Sequence, residues 1–286
     1  MLSDSGAVTN AQGNLARVPV RVGHSADPDD AFMIWAVEAG VVDTRGLELQ
    51  PVASDIETLN RWALDGRLEV TALSAGAYPA VAGRYVLLPH GASFGEGYGP
   101  IVVAPRPLSH DELRETEIVI PGRMTTAYLV LRLALGDDLR VRELPFDQVL
   151  DEVASGAAPA GLLIHEGQLT YGGAGVEKVL DLGGWWHEET GLPLPLGLVA
   201  ARRDLDRIDD VSAVLRDAID AGLEHRDEAM AYAAGFGRGI DTTTADEFVA
   251  MYVTELTRDM GDRGRAAVAE LLRRSGSAAE PEFALA

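Results

Sequence analysis

The sequence predicts an α/β protein of two lobes, each built on a parallel or mixed sheet, with the second lobe inserted into the first. Three observations carry this. Short β-rich runs alternate with helical patterns from residue 18 onward, as parallel strands joined by crossover helices do. The alternation comes in two blocks, one ending near residue 80 and one running from 117 to 164. Two similar apolar runs bracket the second block, Gly99-Pro-Ile-Val-Val-Ala-Pro-Arg-Pro-Leu and Leu196-Gly-Leu-Val-Ala-Ala-Arg-Arg-Asp-Leu, and each reads as a crossing strand.

In the first block, Val18-Pro-Val-Arg-Val-Gly is a strand, followed by a helix over residues 28–39 that opens with Asp27 and Pro28. Residues 47–52 form a second strand and 56–64 a helix; 68–73 form a third strand, with a short helix after Ser74. In the second block, strands at 117–120, 140–144 and 160–164 alternate with helices at 126–135 and 146–154. Residues 207–274 read as helical throughout, broken at Gly235-Phe-Gly-Arg-Gly, and should pack back on the first lobe. The expected organisation is a flexible tail (1–17), a discontinuous first lobe (18–104 plus 196–286) and an inserted lobe (105–195).

Composition narrows the function. The chain has 286 residues, 47% of them hydrophobic, which suits a folded protein and not a disordered one. Its 24 basic and 45 acidic residues give a net charge of −21. Such a surface repels phosphate backbones and anionic lipid, so neither nucleic acid nor membrane is the expected partner. There is no cysteine, which removes disulfides, thiolate zinc sites and a thiol nucleophile, and Lys178 is the single lysine. The N-terminal stretch is polar and holds no apolar run of signal-peptide type, so a cytoplasmic location is expected.

Two lobes make a cleft, and ligands of open parallel sheets bind beyond the carboxyl ends of the strands. The residues just after each strand are therefore the candidates. Ser25 follows the first strand and makes either a ligand contact or a local turn bond. Asp27, Asp29 and Asp30 superficially suggest a metal, but they read better as the cap and acidic first turn of a helix, and no metal is expected. Asn60 sits in an apolar-faced helix, where a buried amide needs partners for donor and acceptor, or else faces solvent. Ser74 ends the third strand, as a cap or a ligand contact. Gly122-Arg-Met-Thr-Thr-Ala opens a helix after a strand, so Thr125, Thr126 and the free N–H groups there suit a carboxylate, or are ordinary caps. His165 follows the buried run Ala160-Gly-Leu-Leu-Ile, where an imidazole can serve as general base or simply be structural.

Several segments together resemble 1,4-dihydroxy-6-naphthoate synthase of the futalosine route to menaquinone. They are Asp55-Ile-Glu-Thr-Leu-Asn-Arg-Trp-Ala-Leu, Leu73-Ser with Ala77-Tyr, Gly97-Tyr-Gly-Pro-Ile-Val-Val-Ala, Pro121-Gly-Arg-Met-Thr-Thr-Ala-Tyr, Leu163-Ile-His-Glu and Leu182-Gly-Gly-Trp-Trp with Thr190-Gly-Leu-Pro-Leu-Pro-Leu-Gly. The resemblance implies the two-lobed, type II fold of periplasmic solute-binding proteins. It implies a carbon–carbon lyase acting on cyclic dehypoxanthine futalosine, an anionic small molecule, with no metal or redox cofactor. The family's base matches His165 and its pocket contacts match Asn60, Ser74, Thr125 and Thr126. One departure stands out: the family pattern Ser-Pro-Cys-Pro-Asn-Asp is here Ser25-Ala-Asp-Pro-Asp-Asp, a more acidic cleft wall.

Competing readings are a non-catalytic solute-binding protein, which would need an export signal, and the sister enzyme chorismate dehydratase, which lacks the Leu-Ile-His-Glu and Thr-Thr-Ala pair. Of the six histidines, His110 and His225 fall in polar helical contexts and His90 and His187 on loops. His24 precedes Ser25, so strand alternation turns it away from the cleft if Ser25 faces in. His165 is left as the expected base, with Glu166 as the less favoured substitute.

Overall fold

The computed structural model describes residues 18–284. The tail expected over residues 1–17 lies outside the described residues. Eleven strands are described: β1 (Val18–Ser25), β2 (Leu47–Ser54), β3 (Val70–Ser74), β4 (Tyr85–Leu87), β5 (Ser93–Gly95), β6 (Ile101–Ala104), β7 (Ile118–Ile120), β8 (Val141–Glu143), β9 (Ala160–Leu163), β10 (Glu177–Asp181) and β11 (Leu194–Arg202). The first sheet runs β2-β1-β3-β11-β4, with β5 also on β11; the second runs β10-β6-β9-β7-β8.

Parallel pairing follows the helical crossovers: β1 pairs parallel with β2 and β3, and β7 with β8 and β9. The two crossing segments run the other way. β11 is antiparallel to β3, and β6 to β9, so both sheets are mixed. The residues of β3 are buried along its whole length, as expected of an apolar strand with both faces covered.

The crossing point differs from the sequence expectation. Ile101–Ala104, assigned to the first lobe through residue 104, pairs with β9 and β10 in the second sheet. The chain leaves the first sheet after β5, over residues 96–100. An apolar run with glycine before it looks alike whichever sheet claims it, and only pairing decides. The crossing is tight: a Cβ at Gly183 would lie 2.0 Å from the Tyr98 carbonyl carbon. β10 was not anticipated, because its exposed Glu177 and Lys178 mask a short edge strand. The C-terminal segment is a series of shorter helices, not one helical run.

One continuous core cluster holds Leu73 and Leu198 of the first sheet, Val102 and Ile120 of the second, and Leu131 and Trp186 between them. A second cluster packs Phe32 and Ala36 of the Pro28–Glu38 helix on Ala218, Ile219, Ala233 and Val249. The C-terminal helices thus lie on the first lobe, and they bring the Thr242–Tyr252 helix to the cleft. Among the described residues, no helix is long and apolar enough to cross a membrane.

Candidate active site

Four strand ends and one C-terminal helix converge on a single cavity. β1 delivers Ser25 and the first helical turn, β3 delivers Ser74, the loop after β7 delivers Thr125 and Thr126, and the end of β9 delivers His165. Asp27 caps the Pro28–Glu38 helix by accepting the Asp30 N–H at 3.4 Å, with Pro28 in the first turn. That is the local role the sequence suggested. It is not the whole role of Asp27.

The His165 Nδ1 lies 2.7 Å from Asp27 Oδ2, a contact between the end of β9 and the end of β1. His165 has a positive φ of 52°, a left-handed conformation that costs a non-glycine residue energy and recurs at functional sites. Its ring packs edge-on to Phe146 at 4.6 Å, and its side chain is 14% exposed. The other nitrogen, Nε2, is buried with no protein partner, and His165 lines the cavity. Asp27 therefore holds the imidazole by one nitrogen and leaves the other for a ligand.

Electrostatics follow from the crowding of acids. Burial disfavours the cationic form of His165, but the Asp27 carboxylate outweighs it, so the pKa of His165 is raised. Burial works against ionised Asp27 as well, yet its pKa is lowered by the His165 charge and hydrogen bond. Asp29 has no cation beside it; burial and the charge of Asp27 raise its pKa well above the ordinary range. Burial and Asp27 push Asp30 up to about 8, although its Oδ2 accepts the Ser25 N–H at 2.5 Å. His24, as alternation requires, faces away, with Nδ1 on the Ser25 carbonyl and its ring against Phe236.

The remaining candidates separate into cavity wall and support. Ser25, Ser74, Thr125 and Thr126 line the cavity, whereas Asn60, expected as a contact, does not. Asn60 is 0% exposed and fully used: Oδ1 accepts the Ser74 N–H at 2.8 Å and Nδ2 donates to Ser74 Oγ at 3.0 Å. By donating to that oxygen it leaves the Ser74 hydroxyl proton free to point elsewhere. Thr125 caps the Thr126–Leu135 helix through the Tyr128 N–H, and Thr126 Oγ1 donates to the Leu196 carbonyl at 2.8 Å. Both hydroxyls are engaged within the protein, Thr125 Oγ1 also donating to the Gly122 carbonyl at 2.9 Å.

The Ile56–Leu64 helix clasps the second lobe. The Glu57 carboxylate accepts the Met124 N–H at 3.1 Å and Arg61 reaches Glu143 of β8 at 3.0 Å. The rest of the wall is largely apolar, including Ile56, Ile164, Leu196, Leu198 and Phe248. Phe248 and Tyr252 were missed by the sequence reading, since nothing in a helical tail marks which turn reaches a cleft. Tyr252 donates to Gln168 Oε1 at 2.8 Å, linking the C-terminal helices to the segment after His165. His187, expected on a loop, lies in the Leu182–Thr190 helix and is exposed.

Residues 20–277 match a family model described as menaquinone biosynthesis. The chain belongs to this menaquinone-biosynthesis family. Among its relatives is a Thermus thermophilus protein named 1,4-dihydroxy-6-naphthoate synthase, 42% identical over 254 residues, spanning 88% of this chain and 92% of the relative. A Streptomyces coelicolor protein of the same name is 31% identical, over 90% and 93% of the two chains. In structure, the family fold is shared with an Archaeoglobus fulgidus protein at TM-score 0.86 and 45% identity, covering 90% and 97% of the chains. The alkanesulfonate-binding protein of Xanthomonas axonopodis is 11% identical at TM-score 0.66, covering 94% and 97%, and shows the fold alone, that of periplasmic binding proteins.

Proposed function

We propose that this family member converts cyclic dehypoxanthine futalosine to 1,4-dihydroxy-6-naphthoate, as a carbon–carbon lyase, with His165 as the base. The relatives' names supply the product, the sequence resemblance supplies the substrate and the lyase reaction, and the observation that carries the role of His165 is its geometry: Nδ1 on Asp27, Nε2 unpartnered at the cavity wall. Fragmentation and aromatisation both begin with removal of a proton from carbon next to an electron-withdrawing group. Nε2 takes that proton, and Asp27 stabilises the imidazolium that results. The apolar wall suits a bicyclic ring system, and the N-terminus of the Thr126–Leu135 helix suits its carboxylate. This needs no redox step.

The test is incubation with cyclic dehypoxanthine futalosine, following the dihydroxynaphthoate chromophore. Wild-type protein should form it, and His165→Asn, checked for native circular dichroism, should lose about 10²–10⁴-fold in turnover, the usual worth of a positioned base. Saturable binding without any turnover by wild type would favour a solute-binding role instead. Near-normal turnover in folded His165→Asn would remove His165 from the mechanism.

A further inference from the structure

The base is one half of a proton-transfer site; the structure also holds a buried acid that the mechanism above does not use. Asp27, Asp29 and Asp30 stand on one helical turn with ligand atoms within 4.8 Å of one another. Three ionised carboxylates at that spacing require three units of compensating charge. Among the described residues the cavity wall holds no lysine or arginine, and its one basic side chain, His165, is bonded to Asp27. Asp30 holds the Ser25 N–H. Asp29 is left with one neutral partner, the Ser93 hydroxyl, which donates to Oδ2 at 3.1 Å, and with the Asp27 carboxylate beside it.

Asp29 is 5% exposed, lines the cavity, and its Oδ1 is buried with no hydrogen-bond partner. An ionised oxygen in that position would forfeit several kcal/mol of solvation with nothing in return. A carboxylic acid resolves this. Since Oδ2 accepts from Ser93, the proton belongs on Oδ1, the oxygen with a free valence. The groups facing Asp29 agree: Asp27 and Asp30 from its own helix are acidic, and Tyr252, from the Thr242–Tyr252 helix, is held neutral by burial.

We propose that Asp29 is a protonated acid whose Oδ1–H donates a hydrogen bond to a carbonyl or enolate oxygen of the ligand, opposite the proton taken by His165. The inference rests on the reading of this cavity as a proton-abstracting site. The step balances within the ligand: the C–H proton passes to His165 Nε2, its electron pair moves into the carbonyl to form an enolate, and Asp29 stabilises the oxygen without giving up its proton. Inside the protein, the Asp27 carboxylate is the alternative acceptor for that proton, so ligand binding exchanges one acceptor for another.

Infrared difference spectroscopy on the full chain labelled with ¹³C-aspartate tests this directly. The protonated-carboxyl C=O absorption in wild type should include a component that shifts when 1,4-dihydroxy-6-naphthoate is added and is missing from Asp29→Asn, while the Asp30 component remains. In turnover, Asp29→Asn keeps a donor and should stay within about tenfold of wild type, whereas Asp29→Leu should lose about 10²–10³-fold, the worth of one oxyanion donor. A wild-type spectrum without the Asp29 band, a band that ignores the ligand, or equal losses in the two variants would overturn the proposal. Turnover without a band shift would remove Asp29 and leave the lyase reading intact. A band shift without turnover would do the reverse.

Discussion

Asp27→Asn is the most informative single change, because the residue has two roles and asparagine keeps one of them. As an N-cap, asparagine equals aspartate, so the Pro28–Glu38 helix should keep its start. What is lost is the negative charge 2.7 Å from His165 Nδ1. A hydrogen bond to a charged group contributes about 1.5–3 kcal/mol and a neutral one about 0.5–1.5 kcal/mol, so the change removes roughly 1–1.5 kcal/mol. That corresponds to about one pKa unit at His165. The Asp27 charge raises the His165 pKa, so its removal must lower it. The acid limb of kcat/KM should therefore move about one unit to lower pH. The plateau should fall about 10- to 100-fold, because the imidazolium formed in the transition state loses its counter-charge. Stability gives a second reading. A raised histidine pKa contributes stability that is fully present below the unfolded value and lost as pH rises through the folded one. The wild-type Tm should decline over that window, and the decline should flatten in Asp27→Asn. A pH profile that stays in place, or moves to higher pH, would refute the pairing of Asp27 with a proton-accepting His165.

Two further outcomes follow from the same geometry. Gly122 has a φ of 158°, and a Cβ there would lie 2.4 Å from the Glu57 carboxylate; Gly122→Ala should break the Glu57 bond to Met124, lowering stability by about 1–3 kcal/mol as overpacking does, and raising KM in steady-state assays. Ionisation of Asp30, at about 8, adds a negative charge to the cavity wall, so KM for an anionic substrate should rise above that pH in initial-rate measurements while a neutral analogue shows no such rise.

Much of the architecture was legible because it is written in short-range patterns. Alternating strands and helices, the Asp27-Pro28 and Thr125 caps and the two apolar crossings all have local signatures, and the helices start where those caps put them. Strand partners do not have local signatures. Ile101–Ala104 joined the second sheet because pairing with β9 and β10 is decided by residues some 60 and 75 positions away. The site followed the same division. His165, Ser25, Ser74, Thr125 and Thr126 were found because strand ends are recognisable. Asn60 was correctly singled out as a buried amide, but its partner is Ser74 and not the cavity. Asp27 was visible as a cap and as an acidic departure in the cleft wall, but not as the partner of His165, since that contact spans 138 residues of sequence. Phe248 and Tyr252 had no signal at all.

The acidic wall has to be reconciled with the anionic substrate proposed above. Asp27 keeps its charge beside His165, while burial favours the neutral form of Asp29 and, below about 8, of Asp30. The cluster then carries hydrogen-bonding protons on two carboxyls and a single negative charge, that of Asp27. The element suited to an anion, the N-terminus of the Thr126–Leu135 helix, comes from the second lobe, after β7. The proposed proton chemistry is thus concentrated where the ends of β1 and β9 meet, and the proposed anion recognition falls on a separate wall. Burial, with the neighbouring Asp27 charge added to it, favours the protonated form of the other two carboxyls. The acidity that looks unfavourable in the sequence is therefore what supplies proton donors inside a cavity whose described wall holds no lysine or arginine.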